Sequence, residues 1–236
     1  MGNAHPTWVS PNQERVLIFP PNEREIRLMW PETEKTQQLL SDVRQGDTSA
    51  VNRLFDRHRH ALHRMIRLRL DQRIQPRVDV SDVVQDVLIE ASRRLKDYLN
   101  DPKMAFHLWI RQIAKDRIID AHRRHRVSAK RSVDREQRLT PAGEDQSSIQ
   151  LAAQLCDGQL TPAAAATQHE LARLVERAIA GLNEQDCEIV VMRHYEQLSN
   201  SETAEALGLS EPAASMRYLR AIRRLRGLLA DHGSGE

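Results

Sequence analysis

Along the chain, stretches whose apolar residues recur every three to four positions alternate with stretches that show no such recurrence. Leu39, Leu40 and Val43 form a short stripe that stops at Gly46-Asp47, and Val51, Leu54, Phe55, Leu62, Met65 and Ile66 resume it. A third stripe follows Ser81 through Val84, Val87, Leu88, Ala91 and Leu95. After the Asn100-Asp101-Pro102 break, Ile110, Ile113, Ala114, Arg117, Ile118 and Ala121 line one face. The spacing is helical, so residues 35–126 are expected to form four helices around one core. Over 127–166 the pattern dissolves into linker composition, with the weakly apolar "IQLAAQL" as one marginal helix inside it. It returns with Leu171, Leu174, Val175, Ala178, Ile179 and Leu182. Asn183 with Asp186 then marks another helix start, leading to Ile189, Val190 and Met192.

The second block ends in "LSNSETAEALGLSEPAASMRYLRAIRRLR", Leu198 to Arg226. Ser199 followed three residues later by Glu202 predicts a capping box and a helix from Asn200 to Leu207, which Gly208 ends. Ser210 can cap a second helix that tolerates Pro212 in its first turn and turns Ala214, Leu219, Ile222 and Leu225 inward. Arg217, Arg220, Arg223, Arg224 and Arg226 then point outward. A short helix, a glycine turn and a longer basic helix predict a helix-turn-helix whose second helix fits the DNA major groove.

The expected fold is therefore all-α: two small helical domains, 35–126 and 167–228, joined by a flexible linker over 127–166, the second ending in the helix-turn-helix. Residues 1–34 hold five of the ten prolines and read as a poorly ordered tail, and 229–236 form a short C-terminal tail. Met29 stands directly before "WPETEKTQQLL", where structure is expected to begin, so it is an alternative initiator.

Composition agrees with helices: aromatics are 4% and glycines number nine in 236 residues. The formal net charge of +2 hides clustering, because Arg111 to Arg131 contains eight Lys or Arg against two Asp. That density attracts phosphate and makes binding salt-dependent. Two residues before that stretch stands Trp109, on the side of Gln112, Lys115, Asp116 and Ile119 rather than on the core stripe. An exposed aromatic among polar neighbours suits stacking on an unpaired base, and a core residue at the domain edge is the alternative. On the third helix, Asp82, Asp86 and Glu90 recur every four residues, with Gln85 beside them, so three carboxylates share one face and repel. A basic partner surface would relieve them.

Cys156 and Cys187 lie far apart, which supports neither a disulfide framework nor a zinc site. No apolar run reaches the length of a membrane span and no secretory layout opens the chain, so a soluble, cytoplasmic protein is expected. His60 and His63 could share a helix face, but no HExxH, Gly-rich phosphate loop or nucleophile elbow accompanies them. No catalytic residue, cofactor or resident metal is expected.

With both basic helices in view, the chain resembles the extracytoplasmic-function (ECF) group of bacterial RNA polymerase sigma factors. "DVVQDV" with "LWIRQIAKDRIIDAHRR" resembles the group's second conserved region, and "LNEQDCEIVVMRHYEQLSNSETAEALGLS" its fourth. The resemblance implies that Asp82, Gln85, Asp86 and Glu90 dock on the clamp helices of the largest subunit of core polymerase, and that the flap region of the polymerase is a further contact. It implies that Trp109, Gln112, Lys115, Asp116 and Arg123 recognise and melt the minus-ten element. The turn "NDPKM", with Asn100, Asp101, Lys103 and Met104, matches the loop that captures a flipped base. Ser210, Glu211, Ser215, Arg217, Tyr218, Arg220 and Arg224 stand where the group reads the minus-thirty-five element. Partners implied are core polymerase and promoter DNA, duplex and melted, with an anti-sigma factor left open and no membrane. Leu108 and Trp109 stand where primary sigma factors have two adjacent tryptophans, which implies weaker melting and more restricted promoters. A helix-turn-helix regulator that binds an operator is the alternative; it has no need of the acidic row or the tryptophan-led basic helix.

Overall fold

The structure is a computed structural model that describes residues 29–31, 33–70, 74, 77–128, 146–155 and 165–233. Among these residues the regular structure is entirely helical: α1 (Thr33–Arg44), α2 (Thr48–Arg69), α3 (Val80–Asn100), α4 (Phe106–Ser128), α5 (Gln146–Leu155), α6 (Ala165–Ala180), α7 (Glu184–Val190), a π-helical turn (Val191–Tyr195), α8 (Asn200–Leu207) and α9 (Glu211–Gly233).

Local chemistry explains the boundaries. Asp47 caps α2 by accepting from the N–H groups of Ser49 and Ala50, and Asp79 caps α3 through Ser81. At α8 the capping box is closed in both directions, with Ser199 accepting from the Glu202 N–H and Glu202 from the Ser199 N–H. Gly208 ends that helix at φ 63°, ψ 35°, a left-handed conformation that glycine adopts without a Cβ penalty.

The first four helices pack Leu54, Leu62, Met65, Ile66, Val87, Ala91, Ile110 and Ala114 into one core, all fully or almost fully excluded from solvent. Helices α6 to α9 enclose a second around Ile179, Leu182, Ile189, Val190, Ala221 and Leu225. On α9 the inward line is Ala214, Ala221 and Leu225, whereas Leu219 and Ile222 are only half-buried. The two cores meet: Met192 and Leu198 pack into the first and Leu68 into the second.

Several expected boundaries shift. Met29 and Trp30 are buried rather than part of a tail, because Trp30 stacks toward His107 with ring centres 6.0 Å apart and the Met29 N–H donates to Gln197 Oε1 at 2.9 Å. The expected tail before residue 29 lies outside the described residues, as do most of 127–166 and residues 234–236. Within the expected linker, α5 is a packed element: Leu151 and Ala152 are buried, and the Ser148 hydroxyl donates to Glu176 at 2.7 Å and lies 3.0 Å from the Tyr195 hydroxyl. At the other end α9 continues as helix to Gly233, past the expected end at 228.

Candidate nucleic-acid interface

Helix α3 turns Val83, Val84, Val87, Leu88, Ala91 and Leu95 inward, which leaves Asp82, Gln85 and Asp86 exposed together. Glu90 belongs to that row but points across to α4: its carboxylate meets Arg94 at 2.6 Å and Arg117 at 3.4 Å and is 15% exposed. Asp86 lies 3.5 Å from Arg124, an exposed pair that water screens. Sequence reasoning missed Ile89, which is 45% exposed between these carboxylates at the rim of a cleft of about 440 Å³ between α3 and α4. The signal was there, since Ile89 falls off the apolar stripe that Val87, Ala91 and Leu95 define.

Helix α4 places Gln112 and Asp116 in solvent with Ile119, which is 39% exposed. Trp109 shares their side yet is only half exposed. Its ring lies 4.7 Å from Tyr98 and 5.3 Å from Phe106, so one face packs on the core and the other edge reaches solvent. Trp109 thus packs on the core and keeps part of its ring in solvent. Asp101, Pro102 and Lys103 form an exposed loop just before α4, with exposed Asn100 ending α3 beside them, and the Tyr98 hydroxyl fixes the loop's end by donating to the Met104 carbonyl at 3.0 Å. Arg123 is exposed near the far end of the same helix.

Helices α8 and α9 meet across Gly208-Leu209, and Asn200 ties them by donating to the Glu211 carbonyl at 3.1 Å. Ser210 caps α9 weakly, accepting from Ala213 at 3.4 Å. Glu211, Met216, Arg220 and Arg224 are exposed, and Ser215 and Arg217 are half-exposed beside them. Tyr218 is half-buried. Its hydroxyl is engaged at 2.8 Å by Nε2 of His194, and the Arg193 guanidinium lies 5.5 Å from its ring centre. Burial, then the Arg193 charge, hold His194 down to about 4, so a neutral imidazole meets the Tyr218 hydroxyl.

The model of the ECF sigma factor family matches residues 33–227, which span both blocks of helices. The chain belongs to the ECF sigma factor family. It is 29% identical over 192 residues to the RNA polymerase sigma factor CnrH of Cupriavidus metallidurans, covering 81% of this chain and 92% of that one. Over 78% of its length it is 27% identical to the ECF sigma-E factor of Escherichia coli, of which 89% is covered. A solved structure of CnrH in complex with the cytosolic domain of CnrY superimposes with a TM-score of 0.51 at 25% identity, over 83% of this chain and 97% of that one. As a sigma factor it directs transcription initiation by RNA polymerase, with core polymerase and promoter DNA as partners. Sigma factors are in general DNA-binding regulators without enzymatic activity. Among the described residues no helix is long and apolar enough to cross a membrane.

Where its two blocks meet, the sigma factor buries a charge cluster that sequence reasoning did not find. Glu188 of α7 accepts from Arg69 at 2.8 and 3.3 Å and from Arg111 at 3.1 Å, and Lys115 stands 3.5 Å away. Glu196, after the π-helical turn, accepts from Nε of Arg69 and Nε of Arg111. The Arg69, Arg111, Glu188 and Glu196 side chains are at most 8% exposed, and Lys115 is 41% exposed. Burial alone would push the Glu188 carboxyl up, but Arg69, Arg111 and Lys115 outweigh it and hold it at about 2. The same contest, with Arg111 and Arg69 prevailing, lowers Glu196. A second contact across the blocks joins His107 Nε2 and Glu202 Oε1 at 2.8 Å.

Proposed function

We propose that this sigma factor holds promoter DNA at two points and opens it at one. Asp82, Gln85 and Asp86, with Ile89 among them and Glu90 at the rim, dock on the clamp helices of polymerase's largest subunit. Trp109, Gln112, Lys115 and Asp116 take the minus-ten element, the loop from Asn100 to Met104 captures a base flipped from it, and Arg123 holds the backbone. Ser215, Arg217, Arg220 and Arg224, near the α9 N-terminus with Ser210 and Glu211, read the minus-thirty-five element in the major groove, and Tyr218 supports them. The working units are 35–126 and 167–228, tethered by 127–166. The chemistry of RNA synthesis belongs to the polymerase, and the site of action is the cytoplasm.

One observation supports this reading above the others. Two surfaces suited to different forms of nucleic acid stand on separate halves of one chain: a tryptophan edge with exposed polar neighbours beside a loop, and an arginine-rich helix behind a left-handed turn. The first fits unpaired bases and the second a duplex groove.

Transcription from a promoter library by core polymerase, with and without the protein, tests it. New transcript starts sharing two spaced upstream elements are expected. Binding of duplex DNA without new starts would refute two-point initiation and favour an operator-binding regulator.

A further inference from the structure

The buried cluster has a geometry that ordinary helix packing would not produce. Glu188 and Glu196 are eight residues apart, and at about 100° per residue an α-helix would set them about 80° from a common face. The π-helical turn from Val191 to Tyr195 absorbs roughly one extra residue, and the Glu196 N–H donates back to the Val191 carbonyl at 3.0 Å. Both carboxylates are thereby presented to the same two arginines. On α4 the recipients are well placed for DNA: Lys115 lies about 60° round the helix from Gln112, and Arg111 about 100°. A strand whose bases reach Trp109 and Gln112 would pass its backbone over Lys115 and Arg111.

We propose that Arg111 and Lys115, with Arg69 at the end of α2, form a phosphate-binding site for the melted strand, which Glu188 and Glu196 occupy as internal phosphate surrogates while the chain is closed. The inference rests on the two-point reading above. Elements at minus ten and minus thirty-five lie about 25 base pairs apart, or roughly 85 Å at about 3.4 Å per pair. Domains that touch through a buried cluster cannot sit on both. The seventeen residues between α4 and α5, 129–145, reach roughly 60 Å if fully extended at about 3.4 Å each, and each block adds its own width, so the tether permits separation. On separation water or phosphate takes up every charge that the carboxylates release, and the exposure of Met192, Leu198 and Leu68 is the apolar cost that docking on polymerase and promoter must offset. Closed, the chain withholds Arg69 and Arg111 from DNA while Lys115 stays 41% exposed beside them, and docking on polymerase and promoter frees the two arginines.

The test uses the full-length protein and fluorescein-labelled oligo(dT) of about twenty nucleotides, since a phosphate site ignores sequence. Glu188→Gln with Glu196→Gln is expected to enlarge the radius of gyration in small-angle scattering. It should also tighten oligo(dT) binding about tenfold, the factor by which a chain closed nine parts in ten weakens its ligand. Adding Arg111→Gln should erase much of that gain and flatten the salt dependence by about 0.7 in log–log slope, one phosphate contact's share on a single strand. A double-glutamine chain that stays compact, or opens without binding better, overturns the proposal, as does an unchanged salt slope. Wild-type protein gives an arm independent of any variant: oligo(dT) should expand it, and binding without expansion refutes the competition. Promoter-library transcription by wild-type protein stands apart from all these arms. New starts with failed oligo(dT) arms would sink the phosphate site alone, whereas an absence of starts would sink the sigma reading.

Discussion

Trp109→Ala separates packing from melting. The ring contacts Tyr98 at 4.7 Å and Phe106 at 5.3 Å, and each aromatic pair adds about 0.5–1.5 kcal/mol. Because the ring is half exposed, truncation should cost about 2 kcal/mol of folding stability, short of the roughly 3–5 kcal/mol for a fully buried tryptophan. Stacking on an opened base adds a separate loss of about 1–3 kcal/mol to the open complex. At about 1.4 kcal/mol per factor of ten, that is roughly five-fold to over a hundred-fold fewer open complexes. Single-round transcription at saturating holoenzyme, on a duplex promoter and on the same promoter with a mismatched bubble at the minus-ten element, isolates the second loss. The duplex template should lose about tenfold or more and the bubble template little, because its opening no longer depends on the protein. Equal loss on both templates at saturation would refute the melting role and leave Trp109 as a packing residue.

His58 is fully buried, with Nδ1 donating to the Leu54 carbonyl at 2.9 Å, and burial holds it down to about 4 from 6.5. The unfolded chain therefore binds the extra proton first, and stability should fall by about 2 kcal/mol as pH drops from 7.5 to 5. Urea denaturation of wild type and His58→Gln checks this, and parallel pH profiles would contradict it. Reversing Asp82 and Asp86 to Lys should leave stability within about 0.5 kcal/mol, since both are exposed, while weakening association with core polymerase about tenfold in a pull-down titration. Gly208→Ala should cost about 1 kcal/mol in denaturant because φ is 63°, and Gly208→Asn less, as an added Cβ meets nothing within 4 Å and the penalty is purely conformational.

Helices α2, α3, α4 and α8 were legible because their apolar spacing and caps are local properties. Ser199 and Glu202 write the start of α8 within four residues, and Gly208 writes its end. The interface was not legible in that way, since Arg69 meets Glu188 and Glu196 across 119 and 127 residues and only the folded chain supplies the partners. A signal existed nonetheless. Arg69 follows Met65 and Ile66 in the apolar phase of α2, Arg111 follows Leu108 on α4, and Glu188 sits inside the run "CEIVVM". Charges in a core phase require partners, even when the sequence does not say which. The π-helical turn left no such trace, because its i→i+5 bonding changes no residue type. Trp109 was read by its polar side only, and its aromatic neighbours Tyr98 and Phe106, one of them on another helix, made up the rest.

The tether explains how an ionic interface can hold the chain closed and still release it. Two domains joined by one chain meet at an effective concentration on the order of millimolar, so a contact with an intrinsic dissociation constant of roughly 0.1 mM suffices for about ten-to-one closure. A larger apolar interface would be far tighter and would oppose the separation that promoter binding demands. Effective concentration falls about as the −3/2 power of tether length, so inserting about seventeen Gly/Ser residues between 129 and 145, which doubles that segment, should reduce closure about threefold. Oligo(dT) should then bind the wild-type background about threefold tighter and leave the Glu188→Gln, Glu196→Gln background unchanged, since that chain is already open. An equal gain in both backgrounds would mean that the inserted segment itself binds DNA. No gain in either would mean that the acidic pair does not govern access to Arg111 and Lys115.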